Sequence, residues 1–104
     1  MNKNSFILYE NFFNAISNKT RFEIIRLLMK KPMSVNEISR KLGFEQSRVS
    51  HNLKKLDCCG FVKCKYKGKK RIYSIDKKYI LPIILNTDKY LRRYEKRLRE
   101  CFKK

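Results

Sequence analysis

Gln46, Ser47, Arg48, Ser50, His51, Lys54 and Lys55 are crowded into one run, "QSRVSHNLKKL", residues 46–56. Val49, Leu53 and Leu56 fall at i, i+4 and i+7, so the run reads as a helix with an apolar stripe and a polar opposite face. That face has the chemistry of base-edge recognition. Glutamine pairs bidentately with adenine and arginine with guanine, serine and histidine reach bases or phosphates, and Lys54 and Lys55 suit the backbone. A helix that merely faces water mixes both signs of charge, whereas no acid stands between Gln46 and Leu56.

A second cluster lies just downstream in "FVKCKYKGKKRIYSID", which holds Lys63, Lys65, Lys67, Lys69, Lys70 and Arg71. Phe61 to Lys67 and Lys70 to Ile75 alternate as two strands, with Gly68 in the turn between them. The tip, "KGKKR", suits phosphate or minor-groove contact. Tyr66 and Tyr73 could stack on bases, but aromatic residues on a two-stranded sheet more often pack against neighbours, and Tyr66 is given no functional role.

Catalytic chemistry is not supported by the inventory. There is no glycine-rich phosphate loop, no paired-carboxylate spacing and no nucleophile beside a histidine in a known arrangement. Ser50 and His51 are consecutive, and consecutive helix residues point in different directions. His51 is the one histidine of the chain and has no Cys or His neighbour, which favours a plain hydrogen-bonding role. No enzyme, cofactor, small-molecule substrate or metal site is expected. Cys58, Cys59, Cys64 and Cys101 form no C-x-x-C pair, so reduced thiols are the default, although lysines beside Cys64 would favour its thiolate if it were exposed.

The elements that must position these clusters are legible upstream and downstream. Ser5 to Ile16 reads as a helix with apolar residues on two sides: Phe6, Tyr9, Phe13 and Ile16 on one stripe, Leu8 and Phe12 on another. Such a helix packs on its own domain and on something else. A second helix begins after the N-cap Asn18 and ends before Pro32. A third starts at Ser34, where Ser34 and Glu37 form a capping box, and stops at Gly43. A long last helix runs from about Lys77 with Pro82 near its first turn, and Ile84, Leu91 and Leu98 repeat every seven residues, as do Thr87, Tyr94 and Cys101. Helix, tight turn, polar-faced helix and basic hairpin are the parts of a winged helix-turn-helix, mainly α with a small β-hairpin wing: four helices, the hairpin and a fifth helix.

Composition agrees. At 104 residues the chain is read as one domain, residues 1–104, and its 27 Lys and Arg against 9 acids leave a net charge of +18. Self-repulsion on that scale points to a polyanionic partner, because solubility alone needs far less charge. The longest apolar run, Ile80 to Leu85, is interrupted by Pro82 and is too short to span a membrane, and no signal-peptide pattern opens the chain. A cytoplasmic protein without a membrane partner is expected.

The segments "AISNKTRFEIIRLL", "MSVNEISRKLG", "QSRVSHNLKKL" and "GFVKCKYKGKKRIYSI" resemble, in order and spacing, the ArsR/SmtB family of winged-helix repressors, over roughly two-thirds of the chain. The resemblance implies a symmetric homodimer through the first and last helices, bound to a palindromic operator that it represses until a ligand loosens it. It implies operator reading by Gln46, Ser47, Arg48, Ser50 and His51, with the hairpin tip as the wing. The dimer seam would then draw on Phe6, Tyr9, Phe13, Ile84, Leu91, Tyr94 and Leu98. The family's metal motifs are absent: Ser34-Val35-Asn36 stands where many members have Cys-Val-Cys, and Asp88-Lys89-Tyr90 where others have Asp-x-His. Of the paired cysteines in thiol-sensing members, Cys101 alone has a counterpart.

The expected function is therefore a sequence-specific DNA-binding regulator of transcription, acting as a repressor on double-stranded DNA. Two rivals remain. An architectural, nucleoid-type DNA-binder would explain the +18 charge. A winged helix used for protein interaction would not need a basic recognition face.

Overall fold

The computed structural model describes residues 2–103, without the side chains of Lys3 and Asn4. Helix α1 spans Lys3–Ser17 and α2 Lys19–Leu28, with Asn18 between them. The Asn18 side chain accepts a hydrogen bond from the Arg21 amide at 3.0 Å, the N-cap its residue type predicts. Helix α3, Val35–Leu42, opens with the Ser34–Glu37 capping box, both bonds measuring 3.2 Å. Hydrogen bonding to the Ser34 backbone is the main cause holding the Glu37 carboxyl below its ordinary pKa. The helix stops at Gly43, whose φ of 70° is left-handed and open to glycine at little cost. Helix α4, Gln46–Cys58, follows after a short turn.

Strands β2, Val62–Lys67, and β3, Lys70–Ile75, pair antiparallel around Gly68 at φ 65°. The structure adds a strand that the sequence pattern did not announce. Met33–Ser34, β1, pairs with β3 and makes a three-stranded sheet in the order β1-β3-β2. Two residues are too few to show alternation, and buried Met33 identifies the strand through its packing. The register sorts the wing into two faces. Val62, Cys64, Tyr66, Arg71, Tyr73 and Ile75 share one face, while Lys63, Lys65, Lys67, Lys70, Ile72 and Ser74 share the other, with Lys70 at the tip also lining the groove beside α4.

The core gathers Ile24, Ile25 and Leu28 of α2, Met33, Ile38 of α3, and Val49, Leu53 and Leu56 of α4, with Phe61, Val62, Tyr73 and Ile75 beneath them. Each such buried side chain contributes about 1.5–3 kcal/mol, which is what holds α4 in place with its polar face outward.

The last helix departs from the expected single rod. Residues 77–79 form a turn, because Asp76 Oδ2 accepts from the Tyr79 and Ile80 amides at 2.8 and 3.0 Å, and α5 runs Ile80–Arg93. At Tyr94 the backbone leaves helical geometry (φ −108°, ψ 18°), and a separate α6 spans Glu95–Cys101. Arg92 and Arg93 end α5 and Glu95 opens α6, so the charges complement two helix dipoles instead of one. Ile80 and Ile84 of α5 are buried in the core, but every residue from Leu85 to Arg97 is exposed. The radius of gyration, 15.5 Å, exceeds the roughly 13 Å of a compact 100-residue domain.

Candidate nucleic-acid interface

Helix α4 buries Val49, Asn52, Leu53 and Leu56 and turns the opposite face to solvent. Gln46, Ser50, His51 and Lys54 of that face line one wall of an open groove of about 720 Å³. Lys69, Lys70 and Arg71 from the hairpin tip line the other wall, and Tyr73 lies between. Hydrogen-bonding groups for base edges and four cations for phosphates thus converge on one concave surface. Burial is the first cause raising the pKa of Tyr73, and hydrogen bonding to Tyr73 is the first cause raising that of Arg71. At neutral pH the pair is a phenol beside a guanidinium. The N-cap of α4, Glu45, makes no side-chain cap bond, so first-turn amides are open to an anion.

Four residues expected at the interface do not line this groove. Arg48 is turned away from the groove: its guanidinium lies 3.8 Å over the Phe44 ring and donates to Thr20 Oγ1 at 2.6 Å. On a helical wheel it falls to the flank of the exposed face, where α2 supplies better partners than water. It is a latch between α4 and α2. Lys67 lies on the outer face of the wing, two strand positions after Lys65. Ser47 and Lys55 are exposed on α4 but outside the groove wall.

Sequence reasoning missed Asn36 and Val35, at the start of α3, and Asp57, which ends the groove on α4. The capping box already placed Asn36 in the first turn beside α4, and that was the available signal. It also missed the polar clamp beneath α4. Asn52, buried, donates to the Arg48 carbonyl at 2.8 Å and accepts from Arg21 Nη1 at 3.5 Å. Arg21 in turn donates to the carbonyls of Ala15 (2.8 Å) and Asn14 (3.2 Å) at the end of α1.

Phe6, Tyr9, Phe13, Leu91 and Tyr94 leave large apolar areas exposed on α1 and at the end of α5, and Leu98 on α6 is half-buried. Ile84, expected on the same seam, is buried in the protomer core and has little surface left for a partner. Cys58, Cys59 and Cys101 are exposed free thiols, and Cys64 is half-buried opposite Tyr73. Among the described residues no group of three or more His, Cys, Asp or Glu could hold a metal ion. No helix among them is long and apolar enough to cross a membrane.

Residues 18–63 match the family model described as bacterial regulatory protein, arsR family. A probable mercury resistance operon repressor of Streptomyces lividans is 28% identical over 74 residues, covering 71% of this chain and 59% of the relative. The HTH-type transcriptional regulator Rv0081 of Mycobacterium tuberculosis is 35% identical over 69 residues, 65% of this chain and 60% of the relative. Its crystal structure superposes with a TM-score of 0.84 at 28% identity, over 91% of this chain and 96% of that one. The homodimeric winged helix-turn-helix domain of Mb0332 from Mycobacterium bovis gives a TM-score of 0.72 at 20% identity, over 91% and 93%, and shows the shared fold alone. The chain spans 60% or less of the length of the curated relatives it matches.

Proposed function

We propose that the chain, whose residues 18–63 match the arsR-family model, is a DNA-binding transcriptional regulator of that kind. It reads a palindromic operator in duplex DNA as a homodimer and acts there as a repressor. The observation that carries the reading is the single groove on which Gln46, Ser50 and His51 meet Lys54, Lys69, Lys70 and Arg71. The polar groups of α4 enter the major groove and the wing tip takes flanking phosphates. Two copies are supplied by the unpartnered apolar faces of α1 and α5, and the homodimeric Mb0332 domain offers a precedent in the same fold.

Base reading and latch are separable by substitution. Gln46→Ala should cost about 1–3 kcal/mol on the preferred site and relax discrimination at one base position. Arg48→Ala should lower stability by about 1–2 kcal/mol, through loss of the Phe44 and Thr20 contacts, and weaken all sequences alike. Paired binding titrations and thermal melts check both. A shift in base preference from Arg48→Ala, with none from Gln46→Ala, would reverse the assignment.

A further inference from the structure

Apart from Lys70 at the tip, the outer face of the wing takes no part in the groove, yet it is as strongly charged. Lys63, Lys65 and Lys67 project from alternate positions of β2, and Lys77 and Lys78 flank them from the turn after β3, around a depression of about 710 Å³. None of the five makes an ion pair with a described residue. The one acid among them, Asp76, already accepts the amides of Tyr79 and Ile80.

Because β2 is an edge strand, lysines there also discourage pairing with another sheet. That role needs one or two charges, and it does not explain Lys77 and Lys78, which lie off the strand. Alternate residues of a strand repeat about every 6.6 Å, close to the separation of successive phosphates along one DNA strand. The groove beside α4 is lined by none of Lys63, Lys65, Lys67, Lys77 and Lys78.

We propose that the outer face of the wing holds the phosphate backbone of a second DNA duplex, so that the protein bridges two duplexes. The proposal rests on duplex binding at the groove, and the experiment reads the two separately. A duplex of about 30 bp is fixed to beads and saturated with the full chain, and a fluorescent duplex of the same length is then offered at low salt. The wild-type protein should capture the second duplex. The triple variant K63E/K65E/K77E should capture at least about tenfold less while its affinity for the first duplex stays within about threefold, and K63R/K65R/K77R should capture as the wild type does. Capture absent from the wild type, or undiminished in the triple variant, overturns the proposal. Equal loss of both binding events also overturns it, since the face would then belong to the primary site. Failure of the wild type to bind even the first duplex would instead refute the groove.

Discussion

Raising salt from about 50 to 200 mM should weaken duplex binding by about 10³–10⁵-fold, the response of a protein making six to ten phosphate contacts. The groove presents four cations in each copy, Lys54, Lys69, Lys70 and Arg71, hence eight in a dimer. At a slope of about −0.9 per phosphate neutralised, log affinity against log salt should fall with a slope near −7. The Arg71 pKa is raised further above an already high value, so this charge does not titrate away near neutrality. Fluorescence anisotropy over a salt series measures the slope. A slope near zero would show that these side chains do not displace counterions, and a slope near −3.6 that one copy acts alone.

Leu91→Asp is expected to give the other large effect, conversion of a dimer into monomers. Leu91 is 48% exposed and Phe13 61%, with no described residue covering them, and α5 projects beyond the core from Leu85 onward. In a symmetric interface the substitution buries two unpaired carboxylates, each costing several kcal/mol, so dimer dissociation should strengthen by about a thousandfold or more. Sedimentation at micromolar concentration should give a dimer for the wild type and a monomer for the variant. The variant should bind half-sites weakly and its salt slope should halve. A wild-type monomer that still binds palindromes tightly would contradict the dimer, as would a variant that remains dimeric.

The parts of the fold that were legible in sequence are those set by neighbours along the chain. The Asn18 cap, the Ser34–Glu37 box, the Gly43 stop and the Gly68 turn are local hydrogen-bond and dihedral requirements, and each stands where its residue type put it. The groove was legible in the same way through Gln46, Ser50, His51, Lys54 and the hairpin tip. What the sequence pattern did not show depended mainly on packing partners that the pattern does not name. Arg48 has the residue type of a guanine reader, but Thr20, 28 positions earlier, and the Phe44 ring claim its guanidinium. Ile84 follows the heptad of the last helix, yet the core reaches that far along α5 and takes it. The break at Tyr94 contains neither glycine nor proline, so composition gave no warning of it. Lys67 is a different case: strand alternation sets it with Lys63 and Lys65, and it lines the outer depression, whereas its register partner Lys70 lines the groove.

The central claim is that α4 and the wing tip together read a particular duplex sequence, and selection from a pool of random duplexes at fixed, physiological salt tests it most directly. The account predicts enrichment of an inverted repeat whose half-sites lie about one helical turn, 10–10.5 bp, or a multiple of it apart. Gln46→Ala should blur one position of that repeat. A pool that stays random through successive rounds, while the protein still binds it with a steep salt dependence, would contradict the claim and leave an architectural DNA-binder in its place.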